Sequence, residues 1–330
     1  MTTDQAVQKV RDLIRLKHFS LSTEESYCLY VRQFCQHSRH LPKSMPTEKR
    51  IESYLSTFAK KEASASSQNV AFNSVLFLYR NILGIEPKGI DALRAHRPTH
   101  VRNAPAPEDT FKVLNFIKEH YSAEVSLACD LIYGCGGRVS EPLNLRIKEI
   151  NRKAGLFIFR QAKGHKDRVV PIPCSVMLDL DNQISLARNI WEREGNRWPV
   201  ALPGRLHLKY PNAQFAWQWF WLFPARKSCV DKRTGWTVRW RMHQATIQRA
   251  IKHACDVFGL SILPHELRHG YATDCLNNGT NPRALQQVLG HKSLETTMNY
   301  FHAEPAGVKS PLDQRDNEPI FKNRSNPGGF

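Results

Sequence analysis

The ten residues PHELRHGYAT, 264–273, place His265, Glu266 and His269 in the spacing H-E-x-x-H. On a helix that spacing puts two imidazoles on one face with a carboxylate beside them, which is how zinc proteases are recognised. A catalytic zinc also needs a third protein ligand. The extended form of the motif requires glycine at position 272 and histidine at 275, where this chain has Ala272 and Cys275. Glu295 is a downstream carboxylate, and nothing specific marks it as that ligand. Read instead as H-x-x-R, the same segment puts His265 and Arg268 on one helical face. A guanidinium fork grips phosphate oxygens, and an imidazole supplies a donor or a proton shuttle. For this segment alone, an ordinary surface helix with scattered basic residues remains the plainer alternative.

Charge favours the phosphate reading. The 330 residues carry 47 Lys and Arg against 30 Asp and Glu, a formal charge of +17. A surplus of that size points to a polyanion, because each phosphate neutralised releases condensed counterions. A basic membrane-binding surface is the other option, and no Lys/Arg block sits beside an amphipathic anchor. No apolar run approaches a membrane span, and MTTDQAVQKV lacks the apolar stretch of a signal peptide. A soluble, cytoplasmic protein with a nucleic-acid partner and no membrane partner is expected, the plainer alternative being a soluble protein that is merely basic. The eight cysteines are scattered without C-x-x-C, so buried thiols in a reducing compartment are expected rather than disulfides. No cofactor and no metal are expected.

Residues 1–87 read as a helical module. Val7, Val10, Leu13, Ile14 and Phe19 roughly keep helical spacing. Ser22 and Glu25 form a capping-box pattern for a second helix. Pro46-Thr47 opens a third, and SSQNVAFNSVLFLYRNILG supplies a fourth that ends at Gly84. A basic, proline-containing linker is expected over 88–107. Helices are expected at about 108–120, 123–134, 175–194, 242–258, 265–277, 281–289 and 293–301, and residues 313–330 form a polar tail. GLFIFRQAKGHKDRVVPIP (155–173) reads as a β-hairpin around a Lys-Gly turn.

All seven tryptophans fall between Trp191 and Trp240, several within YPNAQFAWQWFWLFPA (210–225). The alternation of Trp217, Trp219 and Trp221 fits one face of a strand. Such a cluster is either a local aromatic core or a platform on which unpaired bases stack.

Four segments in order carry a resemblance. YGCGGRVSEPLNLR (133–146), QAKGHKDRVVPIP (161–173), HELRHGYAT and LGHKSLETTMNYFH (289–302) resemble the arginine, lysine, H-x-L-R-H and tyrosine boxes of the tyrosine recombinases, the phage-integrase family. The resemblance covers the chain to about Leu312. It implies a mainly α fold with a small β-sheet: a helical core-binding domain (1–87) and an α/β catalytic domain (108–312) that close on DNA as a C-shaped clamp. It implies Arg138, Lys163, His265, Arg268, His291 and Tyr300 as catalytic residues of a metal-independent strand transfer through a 3′-phosphotyrosine, in a tetrameric synapse. Two positions depart from the pattern. Gly137 stands where the family often has a bulkier residue, which is expected to loosen local packing. Glu266 stands where threonine is common, and it creates the apparent zinc motif.

Within the family, LKYPNAQFAWQWFWLFPA (208–225) and AGVKSPLD (306–313) resemble the integron integrases. That subgroup carries an additional segment, here about 196–240, which engages bases protruding from folded single-stranded cassette sites (attC). The resemblance implies integration and excision of gene cassettes, on folded single-stranded as well as duplex sites, with Trp217, Trp219 and Trp240 as base-contacting residues. Arg239-Trp240-Arg241 replaces a histidine pair often found there. The alternative is a phage or Xer-like recombinase acting on duplex DNA only.

Overall fold

The computed structural model describes residues 1–17, 19–89, 104–162, 166–194, 197–203, 206–231, 234–291 and 293–298. It is mainly helical with two small sheets and divides into two units, Met1–Val101 and Arg102–Phe330. The proposed linker falls largely, and the tail wholly, outside the described residues.

The first unit packs α1 (Thr3–Leu16), α2 (Leu21–Ser38), α3 (Thr47–Lys60) and α4 (Ala65–Leu78) around one apolar core. Val10, Ile14, Val31, Ile51 and Val75 are completely buried there, one stripe from each helix. α1 opens with a capping box between Thr2 and Gln5. α2 opens earlier than its Ser22/Glu25 pattern predicts: Ser20 is the cap, its hydroxyl accepting from the Thr23 amide at 3.1 Å. Glu24 is thereby placed to accept two hydrogen bonds from Arg15, at 3.0 and 2.8 Å, tying α2 to α1. A π-helical turn, Tyr79–Leu83, extends α4 to Gly84, whose φ of 68° ends it in the left-handed region open to glycine.

In the second unit α5 (Pro107–His120) and α6 (Ala123–Gly134) are followed by the short α7 (Ser140–Leu143). Strands β1 (Ile150–Asn151), β2 (Leu156–Ala162) and β3 (Lys166–Pro171) form an antiparallel sheet in chain order. β2 and β3 are the hairpin the sequence predicts, and its tip lies outside the described residues. Phe157 pairs with Val170 and Phe159 with Arg168, so these four side chains share the buried face. Then come α8 (Met177–Glu194), α9 (Leu206–Lys209), a two-stranded ribbon of β4 (Cys229–Val230) and β5 (Thr237–Val238), and the helices α10 (Gln244–Phe258), α11 (Pro264–Asn277), α12 (Pro282–Leu289) and α13 (Leu294–Met298). One core runs through α5, α6, the hairpin, α10 and α11. No described helix is long and apolar enough to cross a membrane.

The tryptophan-rich segment corrects the strand expectation. Pro211–Phe215 and Trp217–Trp219 are 3-10 turns, closed by hydrogen bonds such as Phe220 N–H to the Trp217 carbonyl at 2.9 Å. With about three residues per turn, the alternating tryptophans do not share a face. Only Trp221 reaches a sheet-like pairing, opposite Arg146.

Candidate active site

Pro264 opens α11 at a position where its missing N–H costs nothing. Glu266 turns back to accept a hydrogen bond from the Leu263 amide at 2.8 Å. The carboxylate that made the zinc motif thus caps its own helix. His265 and His269 pack edge to face, ring centroids 4.4 Å apart, with His265 exposed. Among the described residues no group of three or more His, Cys, Asp or Glu is placed to hold a metal ion.

Arg268 points the other way and is 2% exposed. It donates to the Gly136 and Leu289 carbonyls, each at 2.6 Å, and its Nη2 lies 3.2 Å from His291 Nε2. One guanidinium therefore joins α11, the turn before Arg138 and the end of α12. Gly136 presents its carbonyl from a φ of 56°, and a Cβ there would lie 2.4 Å from the Tyr271 ring. Only glycine fits this turn. The neighbouring Gly137 does not loosen the packing as expected: a Cβ there would lie 3.1 Å from Pro142 Cγ, so the proline ring already occupies that space.

Arg138 follows, with its side chain one-quarter exposed. Glu141 ties it down, accepting from the Arg138 amide at 2.6 Å and from Nη1 at 2.8 Å. The same carboxylate accepts from Arg168 Nη2 at 2.6 Å and lies 3.8 Å from Arg268 Nη1. Burial works to raise the Glu141 carboxyl, but the Arg168 charge and the Arg138 hydrogen bond outweigh it and hold the group below its usual range. Three guanidiniums around one carboxylate leave a local surplus of two positive charges, suited to an anion.

Arg168 was not singled out from the sequence. It occupies the buried phase of β3, donates to the Val288 carbonyl as well as to Glu141, and so fastens the hairpin to the end of α12, just before His291. Its i, i+2 spacing from Val170 becomes a signal only once the hairpin register sets which half of the strand is buried. His291 is half-buried, and burial together with Arg268, Arg138, Arg168 and His269 pushes its pKa down to about 4. The structure thus brings Arg138, Arg268 and His291 together. It sets His265 against His269, while Lys163 and Tyr300 lie outside the described residues.

The aromatic segment forms a second cluster. Ala187, Val200, Phe220 and Trp221 are its buried members, with Trp191, Trp217 and Trp219 half-buried around them. Arg146 sits beneath, 4% exposed, its guanidinium 3.8 Å from the Trp221 ring centroid. It donates to the Trp219 carbonyl at 2.6 Å and the Ala201 carbonyl at 2.7 Å, and burial lowers its pKa to about 10. Trp217 stacks on Phe220, and Lys148 Nζ rests 2.9 Å from the Trp219 ring centroid. Trp240 lies 6.2 Å from Trp221. Arg239 is buried against Glu194 and donates to the Ala225 carbonyl at 2.7 Å, so it holds the segment together from within.

Comparison with known proteins places this geometry. The family model described as Phage integrase family matches residues 107–306, and that described as Phage integrase, N-terminal SAM-like domain, matches 7–88. An "Integrase/recombinase" of Escherichia coli is 36% identical over 321 residues, covering 94% of this chain and 93% of that protein. "Tyrosine recombinase XerA" of Thermococcus onnurineus is 27% identical, covering 90% of each. In fold the chain is similar to the Tn1549 transposon integrase in complex with transposon right end DNA, at TM-score 0.61 and 19% identity over 96% of this chain and 98% of that one. It is likewise similar to a lambda integrase dimer bound to a COC′ core site, at TM-score 0.61 and 17% identity over 90% and 97%.

Proposed function

We propose, from the premise that this chain belongs to the phage integrase family of tyrosine site-specific recombinases, that it is a cytoplasmic recombinase of the integron type. It integrates and excises gene cassettes on folded single-stranded attC-like sites as well as duplex sites. The observation that carries the integron reading is the compact aromatic cluster at about 196–240, pinned by the buried Arg146 and edged by the half-buried Trp219. A flipped base stacking on such an edge contributes about 1–3 kcal/mol. That exceeds the ~0.5–1 kcal/mol of an exposed cation–π contact, so a base can displace Lys148 from the Trp219 face.

In the proposed reaction the Tyr300 oxygen attacks the scissile phosphorus, forming a 3′-phosphotyrosine as the bond to the 5′-oxygen breaks. Arg138 and Arg268 hold the non-bridging oxygens as charge grows on them. His265 takes the tyrosine proton, Lys163 protonates the leaving 5′-oxygen, and His291 hydrogen-bonds the phosphate. One phosphodiester is exchanged for another, so religation needs neither ATP nor a metal ion. Four protomers assemble on two sites. Trp217 and Trp240 assist base capture in this reading. Paired residues such as Arg239 with Glu194 stabilise the segment.

The second reading, a recombinase of duplex sites only, draws on the XerA relatives, which span nearly the whole chain. The two separate in a binding selection from a library of random stem-loop single strands and their fully paired duplexes. Enrichment of stem-loops with unpaired bases, abolished by Trp219→Ala, supports the integron reading; a clear preference for the fully paired duplexes overturns it.

A further inference from the structure

Thr297 lies on α13, three residues before Tyr300, and is completely buried. Its hydroxyl is 2.9 Å from His291 Nδ1, while the other ring nitrogen, Nε2, is 3.2 Å from Arg268 Nη2. Arginine has donors and no acceptor, so Nε2 must be the accepting nitrogen of this contact. The single proton of a neutral imidazole then sits on Nδ1 and donates to Thr297 Oγ1. The groups facing the ring agree with neutrality. Arg268 and His269 come from α11, Arg138 from the turn before α7, and Arg168 from β3, and each disfavours a charge on His291.

We propose that Thr297 is a positioning residue that fixes the tautomer of His291 and couples that histidine to the helix leading to Tyr300. The proposal rests on the assignment of His291 and Tyr300 to the recombinase site. In the resting site Arg268 occupies Nε2. When a phosphate draws the Arg268 guanidinium onto its own oxygens, Nε2 is released. It takes a proton from solvent and donates to a phosphate oxygen, and Nδ1–H keeps its bond to Thr297 throughout. The helix before the nucleophile is thus held by the same histidine that reads the phosphate, so substrate occupancy and nucleophile position are linked through one hydroxyl. The alternative for this hydroxyl is ordinary packing of a small buried side chain, which needs its methyl as much as its oxygen.

Two measurements separate these. Nitrogen-15 spectra of His-labelled chain, with the His291 signals identified by their loss in His291→Gln, report the tautomer without any DNA. The expected pattern is a protonated Nδ1 and bare Nε2 in the wild type; a protonated Nε2 with bare Nδ1 overturns the proposal. The second compares Thr297→Val with Thr297→Ser on a nicked substrate drawn from the library selection, with melting temperature and DNA affinity measured alongside. Valine should slow formation of the covalent adduct at least about fivefold, the worth of one lost hydrogen bond. It should also move the pH dependence of that step while affinity stays unchanged, and serine should retain near-normal rate and pH profile. A valine variant with wild-type rate and pH profile, or a serine variant as slow as valine, overturns the proposal. Absence of any adduct in the wild type would instead strike the recombinase reading, and the tautomer result would stand apart from it.

Discussion

Replacing Glu141 with glutamine should cost the catalytic unit about 3–5 kcal/mol, the range for breaking a buried ion pair from one side. The magnitude follows from what the carboxylate holds. It accepts from Arg138 twice and from Arg168 Nη2, and the Glu141 and Arg168 side chains are 7% and 3% exposed. At an effective dielectric near 20, one charge pair about 4 Å apart contributes ~4 kcal/mol. Glutamine is close in volume but turns an amide donor toward guanidinium donors, leaving three cations without their shared counter-charge. Thermal melting of the full chain, followed at the transition of the second unit, should drop by about 6–20 °C, at ~2–4 °C per kcal/mol. The pH dependence carries a sign. The folded Glu141 carboxyl is held below its unfolded value of about 4.3, so its contribution is complete above that value. It is lost as pH falls through the lower folded value, and the two proteins should converge in acid. A variant that melts within about 2 °C of wild type at neutral pH would mean that the carboxylate holds no such network, because a surface pair of little consequence behaves that way.

Gly136→Ala should be comparably damaging, by about 2–5 kcal/mol: the left-handed φ adds ~1–2 kcal/mol and the collision with Tyr271 a further ~1–3, read by urea denaturation. Glu266→Ala should cost only about 0.5–2 kcal/mol of stability and leave strand cleavage within a few-fold of wild type, since the carboxylate caps a helix; complete loss of activity would return Glu266 to the chemistry. Arg146→Met should leave the Trp219 and Ala201 carbonyls without this donor at about 1–3 kcal/mol each, and intrinsic tryptophan fluorescence should show the cluster loosening before global unfolding. Trp219→Ala should weaken binding to a stem-loop bearing unpaired bases by about 1–3 kcal/mol while hardly changing affinity for the paired duplex.

Much of the site was legible because its residues sit at fixed intervals within short segments. Arg138 and Glu141 fall in one box of the family resemblance and share one tight turn, whereas the H-x-x-R spacing misplaced its pair: His265 faces outward against His269 while Arg268 turns into the core. Arg168 escaped because an arginine in KDRVVPIP reads as the solvated half of an alternating strand. Its pairing with Phe159 shows that it occupies the buried half, and only the hairpin register reveals that. Thr297 escaped for another reason: a threonine three residues before a tyrosine in the sequence carries no local sign of the histidine it meets across a loop. The tryptophans misled because W-Q-W-F-W has strand periodicity, whereas Pro211 and successive i to i+3 bonds wind it into tight turns. At α2, the hydroxyl of Ser20 captured the helix start two residues ahead of the Ser22/Glu25 pattern. Direction, which spacing does not carry, separates the two readings of PHELRHGYAT: Glu266 turns back to the helix start, and Arg268 turns inward to the carboxylate and His291.

Covalent capture decides whether Tyr300 joins DNA. The full chain is incubated with the library of nicked duplexes and stem-loops without added metal. Species that survive denaturing detergent are isolated, and the modified peptide is mapped by mass spectrometry. The expected product is a DNA 3′-phosphate joined to Tyr300, an adduct lost in Tyr300→Phe and sharply reduced in Arg138→Ala and Arg268→Ala. An adduct that persists in Tyr300→Phe would take the nucleophile's role from Tyr300, and a wild-type chain that binds the selected DNA yet never joins to it would not be a tyrosine recombinase.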